Sequence, residues 1–337
     1  MKTFLHNWFE TLWWRESTPP AWLVAISRLY ALMRDRDQAQ RLSHVHSVNV
    51  PVISIGNITV GGSGKTPFVI WLTGKLIERG WKPVVLCRGD GGKIRHARVL
   101  SVKADAESAG DEAMLLLKSC ACPVVAGQDR VAGAKIAANL GNLIVLDDGM
   151  QYRQLKRDCE VTLVPAVGIG NAHELPAGPL REPIAALERS DVVVRTGEGA
   201  SEPLINAKEW HWQTVPKGLE QIAGPKAAQP NELLAMSAIA RPQRFIKSLT
   251  DMGFKVPEHL RFPDHHVYTL ADIRKAINTG LDVAVTSKDA VKLRPIWPKE
   301  EPLWLLRQEG QEPKGLIDAI LVPILTAKQY NGVRHVG

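Results

Sequence analysis

The chain opens with apolar residues at helical spacing. Phe4, Leu5, Trp8, Phe9, Leu12 and Trp13 share one stripe of a helical wheel, with His6, Asn7, Glu10 and Thr11 elsewhere on it. Pro19-Pro20 ends that helix. A second apolar helix is expected over about 21–33, running into Arg34, Arg36 and Arg41. The pattern then changes. Short, unbroken apolar runs at 50–55, 83–87, 123–126, 142–146, 161–164 and 192–194 have the character of strands buried on both faces. Helices are expected between them, at 68–79 and 130–139. Strands alternating with helices predict a mostly parallel sheet covered on both sides, with ligands beyond the carboxyl ends of its strands.

The stretch 218–231 is rich in Gly, Pro, Ala and Gln, lacks periodicity and has the composition of a domain joint. Beyond it a second α/β pattern begins, with strands at 233–236 and 283–286 and helices at 241–253 and 270–279. The expected organisation is therefore N-terminal helices over 1–46, a larger α/β domain over 47–228 and a smaller one over 229–337. No internal repeat or low-complexity tract is present.

The most specific local signal is Gly-Asn-Ile-Thr-Val-Gly-Gly-Ser-Gly-Lys-Thr-Pro at 56–67. It lies between an expected strand and an expected helix, the build of a phosphate-binding loop. Gly61, Gly62, Ser63 and Gly64 let backbone N–H groups curl around an anion, and the following helix turns its positive end toward it. Lys65 is expected to reach the β- and γ-phosphates, and the Thr66 hydroxyl to sit on Mg²⁺. The usual pattern has Gly five residues before Gly64, where this chain has Thr59. A second signal supports the first. The apolar run 142–146 ends in Asp147-Asp148-Gly149, and carboxylates at a strand tip beside such a loop can hold Mg²⁺.

Three further segments carry candidate chemistry. Ser108-Ala109-Gly110-Asp111-Glu112 opens an expected helix; its acids suit either a helix's first turn or proton abstraction from an acceptor hydroxyl. Leu175-Pro-Ala-Gly-Pro-Leu-Arg-Glu-Pro183 fixes a loop presenting Arg181, a candidate phosphate contact, and Glu182, a candidate for metal or water. Phe262-Pro-Asp-His-His266 holds adjacent histidines, either packed or able to orient a catalytic aspartate.

Composition narrows the partners. The chain has 337 residues, 45% apolar and 23% charged, and a net charge of +7, which favours nucleotide, phosphorylated substrate, anionic membrane or nucleic acid. No basic stripe interleaved with aromatics and no zinc-finger spacing occurs, so nucleic acid is the weakest of the four. Cys87, Cys120, Cys122 and Cys159 form no Cys-x-x-Cys pair, as in a reducing cytoplasm. No apolar stretch reaches the roughly 18 residues of a spanning helix. Four of the ten tryptophans lie in the first 22 residues, a placement open to core packing or to a membrane–water interface.

Together these segments resemble the tetraacyldisaccharide 4′-kinase (lipid A 4′-kinase) family. The resemblance rests on the motifs at 60–67, 110–112, 146–151 and 175–183. It continues through Ala-Ile-Ala-Arg-Pro-Gln-Arg-Phe at 238–245, the motif at 262–266 and Thr-Ser-Lys-Asp-Ala-Val-Lys-Leu at 286–293. The family's loop also lacks the glycine that Thr59 replaces. The chain departs from it at Asp90, where an aromatic is usual, and at Met150, where Phe is usual. The resemblance implies Mg²⁺-dependent transfer of the ATP γ-phosphate to the 4′-hydroxyl of a tetraacyl glucosamine disaccharide 1-phosphate. It implies an active site between two α/β domains and peripheral attachment by the N-terminal helices to the anionic cytoplasmic face of the bacterial inner membrane. It makes Asp111 the expected general base, paired with His265, and assigns Thr66, Asp147, Asp148 and Glu182 to the metal site. A membrane-associated P-loop ATPase or nucleotide switch is the alternative, although that class often has Lys where this chain has Val60.

Overall fold

A computed structural model describes the chain except residues 1, 15–17, 90, 91, 93, 102–108, 200, 201, 206, 207, 240, 265 and 334–337, and leaves aside the side chains of 2–7 and 327–333. Asp90, Ser108 and His265 therefore lie outside the described residues.

Two helices lead, α1 (Lys2–Trp14) and α2 (Ala21–Leu42), the second nine residues longer than the apolar pattern predicts. The first α/β half follows as β1 (Val52–Asn57), α3 (Lys65–Glu78), β2 (Pro83–Cys87), β3 (Arg98–Val99), α4 (Asp111–Ser119), β4 (Val124–Ala126) and α5 (Arg130–Ala137). It continues through β5 (Leu143–Asp147), β6 (Cys159–Pro165) and β7 (Val192–Thr196). A 15-residue strand, β8 (Glu209–Ala223), leads to the second half. That half comprises β9 (Glu232–Ser237), α6 (Pro242–Asp251), β10 (Lys255–Arg261), α7 (Leu270–Ile277), β11 (Asp282–Val285), α8 (Ser287–Leu293), β12 (Leu303–Gln311) and α9 (Leu316–Val333).

The strands order as β10-β9-β11-β12-β8-β7-β6-β1-β5-β2-β4-β3. β1 is central to its half and runs parallel to β5 and β6. Its residues are all buried, as are those of β2, β5, β6 and β7, which accounts for the unbroken apolar runs. The two half-sheets are joined by one antiparallel ribbon, in which β8 pairs with β12 from Ala223–Leu303 to Gln213–Gln311.

This ribbon occupies ground that composition gave to a joint. Residues 218–223 are strand, and the irregular connection begins at Gly224. Pro216 and Gly218 break the alternation in the sequence, and a register shift opposite Arg307 and Gln308 absorbs them.

The main core lies on one face of the first half-sheet, where Phe68, Leu72 and Leu76 of α3 meet Ile53, Ile55 and Val145. Leu316, Ile317, Ile320 and Ile324 of α9 return to this same core. The second half has its own clusters, one around Leu234, Met236, Val285 and Leu293.

Helix α2 has reversed polarity. Leu23, Ser27 and Gln38 are buried. The Ser27 hydroxyl donates to Glu174 O at 2.9 Å and accepts from Ala177 N at 3.0 Å, and Arg34 pairs with Glu174. Trp22, Ile26, Leu29 and Met33, at the complementary i, i+4, i+7 and i+11 positions, face outward with exposures of 59, 44, 57 and 64%.

Candidate active site

The loop between β1 and α3 begins with an unexpected residue in a conformation that explains it. Thr59 forms an antiparallel bridge with Leu180 and is fully buried. A residue in an extended bridge needs no glycine. The positive φ values fall instead on Gly61 (85°) and Gly64 (78°), where an L side chain would be strained. A Cβ on Gly61 or Gly62 would meet nothing within 4 Å, so the cradle is open on that side. Lys65 and Thr66 then start α3, with Gly64 as its N-cap.

Neighbouring strand ends fix this loop. Thr196, the last residue of β7, donates from its hydroxyl to Ser63 O at 2.7 Å. The proline-rich segment lies along the other side, with Val60 N donating to Pro179 O at 2.8 Å and Arg181 N to Ile58 O at 2.6 Å. Register places Asp147, the last residue of β5, opposite Ile55 of β1. The two strand-tip acids therefore stand beside the phosphate loop.

Their environments differ. Asp147 is buried, and its Oδ1 has no hydrogen-bond partner among the described residues. Burial pushes its carboxyl up to about 7, against the pull of the Lys65 charge. Asp148 holds a left-handed backbone with φ of 52°. Burial opposes its ionisation too. Lys65 Nζ at 3.5 Å and Arg181 Nη1 at 3.0 Å outweigh that and hold its carboxyl below the usual range.

Asn57 links these groups. Its Oδ1 accepts from Lys65 Nζ at 3.0 Å and from Arg181 Nη1 at 3.3 Å. Glu182 is buried with both oxygens engaged. Oε1 accepts from Gln151 Nε2 at 3.1 Å, and Oε2 pairs with Arg189 at 2.5 Å. Arg181 is held by Asp148 and Asn57.

Asp111 is the first residue of α4, behind the N-cap Gly110. It meets Lys292 of α8 at 2.6 Å, and Glu112 meets Lys288 of the same helix at 3.0 Å. These pairs cross from the first half to the second. His266 is committed elsewhere. Its Nε2 lies 3.0 Å from Asp272 Oδ2, and its ring stacks on Phe262 at 4.6 Å between centroids. Met150 fills a buried position, where Thr162 donates to its sulfur at 3.8 Å.

The residues fit a hydrated hard cation held partly by phosphate. Among the described residues no cluster of three or more His, Cys, Asp or Glu surrounds one point. Mg²⁺ is usually held by one or two carboxylates plus phosphate oxygens rather than by an all-protein cage. The orphaned Oδ1 of buried Asp147 supplies a suitable oxygen, and Thr66, at the start of α3, is buried as well.

Asn57, Gln151, Thr196, Lys288 and Lys292 were absent from the sequence-predicted site. Lys288 and Lys292 lie inside the motif at 286–293, so their segment was marked though their roles were not. Asn57 follows Gly56 within the loop signature, and only its side-chain contacts distinguish it.

A phosphate loop on the central strand, a lysine at its helix start and acids on the next strand tip define a P-loop kinase-type α/β protein. The chain belongs to the tetraacyldisaccharide-1-P 4′-kinase family, whose model matches residues 20–324. It is 39% identical over 302 residues to a tetraacyldisaccharide 4′-kinase of Azoarcus sp. (strain BH72), covering 86% of this chain and 88% of the relative. It is 38% identical over 322 residues to that of Halorhodospira halophila, covering 93% and 95%. The crystal structure of LpxK from Aquifex aeolicus in complex with ATP superposes with a TM-score of 0.71 at 27% identity, covering 89% of this chain and 98% of that one.

Proposed function

We propose that this protein transfers the γ-phosphoryl group of ATP to the 4′-hydroxyl of a tetraacyl glucosamine disaccharide 1-phosphate, forming a lipid A precursor. The observation that carries the reading is the convergence of Lys65, Asn57, Asp148 and Arg181 beside the open glycine cradle. Gly61 to Thr66 bind the ATP phosphates, and Lys65 draws on the β- and γ-oxygens as charge moves to the leaving group. Thr66 and Asp147 would hold Mg²⁺, which would supply neutralisation of the phosphate charge. Asp148 and Glu182, assigned from the sequence to the metal site, are engaged by Lys65 and Arg181 and by Gln151 and Arg189, so they act on the site electrostatically, and Asp148 with Arg181 sets the position of Lys65. Asp111 takes the proton of the acceptor hydroxyl, with His265 as its partner. The acceptor enters between the two α/β halves, where α4 faces α8. Residues 1–46 form the attachment region, 47–228 the phosphate-loop domain and 229–337 the second domain, whose last helix α9 packs back on the core of the first.

The reversed polarity of α2 supports a membrane reading. Trp22, Ile26, Leu29 and Met33 form an exposed apolar stripe, while Leu23 and Ser27 are buried on the opposite side and Ser27 bonds the loop carrying Glu174 and Ala177. Arg28 and Arg36 add charge attractive to anionic lipid. We assign the protein to the cytoplasmic face of the inner membrane as a peripheral enzyme. No described helix is long and apolar enough to cross a membrane.

The test is incubation with γ-labelled Mg-ATP and the tetraacyl disaccharide 1-phosphate in detergent. Label is expected in the lipid and is expected to vanish with Lys65→Ala. Hydrolysis of ATP without labelled lipid would favour a membrane-associated ATPase.

A further inference from the structure

Helix α8 places two ammonium groups four residues apart, and so on one face, against the acidic first turn of α4. The two contacts are unequal. Lys288 and Glu112 are each about one-third exposed, at 33 and 37% of the side chain. Lys292 is only 12% exposed. Its ammonium approaches Asp111 Oδ2 at 2.6 Å and also donates to the backbone carbonyl of His266 at 3.2 Å. One side chain of the second half thus holds the carboxylate of the first half and the backbone beside His265.

We propose that Lys292 is a positioning residue for phosphoryl transfer, orienting the Asp111 carboxylate relative to the backbone at His266. The proposal rests on the reading of Asp111 as general base. By fixing Oδ2, Lys292 sets the rotation of the carboxylate and hence the direction of Oδ1. By also donating to His266 O, it ties that carboxylate to the backbone of the second half. The ammonium takes no proton from the acceptor and touches no reacting atom. It acts through the base, where a displacement of about 1 Å can cost on the order of a hundredfold in rate.

A surface latch between the halves would make the same ion pair, so the test separates the two roles. Lys292→Met, Lys292→Arg, Asp111→Asn and the double variant Asp111→Asn/Lys292→Met are assayed as full-length protein in detergent, with Mg-ATP and the tetraacyl disaccharide 1-phosphate. Lys292→Met is expected to lower kcat by about ten- to a hundredfold with KM for ATP unchanged, the signature of a misplaced group. Lys292→Arg is expected to recover most of that loss. The double variant is expected to be no slower than Asp111→Asn alone, because a residue acting through Asp111 has nothing left to orient. Multiplied losses in the double variant, or a Lys292→Met defect confined to KM, would overturn the proposal and leave Asp111 as base. Wild-type turnover by Asp111→Asn would instead overturn the base assignment, and the role of Lys292 with it. If Lys292→Met fails to fold, Lys292→Gln replaces it in the same cycle.

Discussion

Arg181 lies 3.0 Å from Asp148 through Nη1 to Oδ1, and the same carboxylate oxygen faces Lys65 at 3.5 Å. One acid on β5's tip thus stands between the lysine of the phosphate loop and an arginine from the proline-rich segment. The arrangement explains why Asp148 tolerates a left-handed backbone: two cations and burial fix the side chain that this conformation presents. Removing Arg181 leaves Lys65 as the remaining ion-pair partner of Asp148, which draws the lysine toward the acid. Arg181→Ala is expected to lower kcat/KM for ATP by about ten- to a hundredfold, the scale of a lost charge-assisted hydrogen bond. Arg181→Lys should fall between, since lysine keeps the charge without the planar fork. Steady-state kinetics at varied ATP would decide; unchanged kcat/KM in Arg181→Ala would detach Arg181 from the nucleotide site.

Asn57 makes a different prediction, because it is neutral and fully buried. Its amide donates to Thr59 O, and its oxygen receives Lys65 and Arg181. Asn57→Ala removes both roles and strands Thr59 O. A stability loss of about 1–3 kcal/mol is expected from the unmet buried group. Urea unfolding would measure it, and a loss below about 0.5 kcal/mol, the usual surface value, would show that the loop holds itself without Asn57.

The residues that sequence made legible are those whose chemistry is local. Gly61 to Thr66 announce themselves because backbone curvature and phosphate contact need those types at that spacing. Asp147 and Asp148 do so because they end an apolar run. Lys292 and Asp111 are 181 positions apart, and no periodicity connects an acid at one helix start to a lysine in another helix. The β8–β12 ribbon was hidden by Pro216 and Gly218, which have joint-like composition but sit in a register shift. Helix α9 was not read from the sequence at all, and its return to the first core rests on contacts across the chain that apolar spacing does not encode. Helix α2 was visible as apolar, while its reversed orientation depends on polar partners at 174 and 177.

Asp147 links the site to pH. Its carboxyl is pushed up to about 7 from 3.8, first by burial and then by Glu112 and Asp148, with Lys65 opposing. Below the ordinary value the group is protonated in both folded and unfolded chains and contributes nothing. As pH rises toward 7 the unfolded chain loses its proton first, so the metal-free fold loses stability; above about 7 the loss is constant. A shift of that size corresponds to at most about 4 kcal/mol. Asp147→Asn should therefore be more stable than wild type at pH 8 and similar at pH 4. Mg²⁺ added at pH 8 should raise Tm of the wild type more than that of the variant. Thermal melts across this range would check it, and parallel curves for the two proteins would remove Asp147 as the source of the slope.

The two faces of α2 give opposite predictions from neighbouring positions. Trp22 and Leu29 contact water at 59 and 57% exposure, so replacing both with Glu should leave folding stability within about 0.5 kcal/mol for each, as at ordinary surface sites. If the stripe enters a bilayer, the same change removes two apolar anchors worth roughly 1.5–3 kcal/mol each and adds charge that anionic lipid repels. Vesicle binding in a flotation assay with anionic liposomes should fall by at least about a hundredfold. Ser27 is the internal control. Ser27→Ala keeps the outward stripe but strands Ala177 N, and it should cost about 1–3 kcal/mol of stability while vesicle binding is retained. If Trp22→Glu/Leu29→Glu floats like the wild type, the stripe is not the membrane contact. Binding would then have to come from α1, whose Trp13 ring donates to Pro176 O at 2.9 Å and so ties that helix to the same loop.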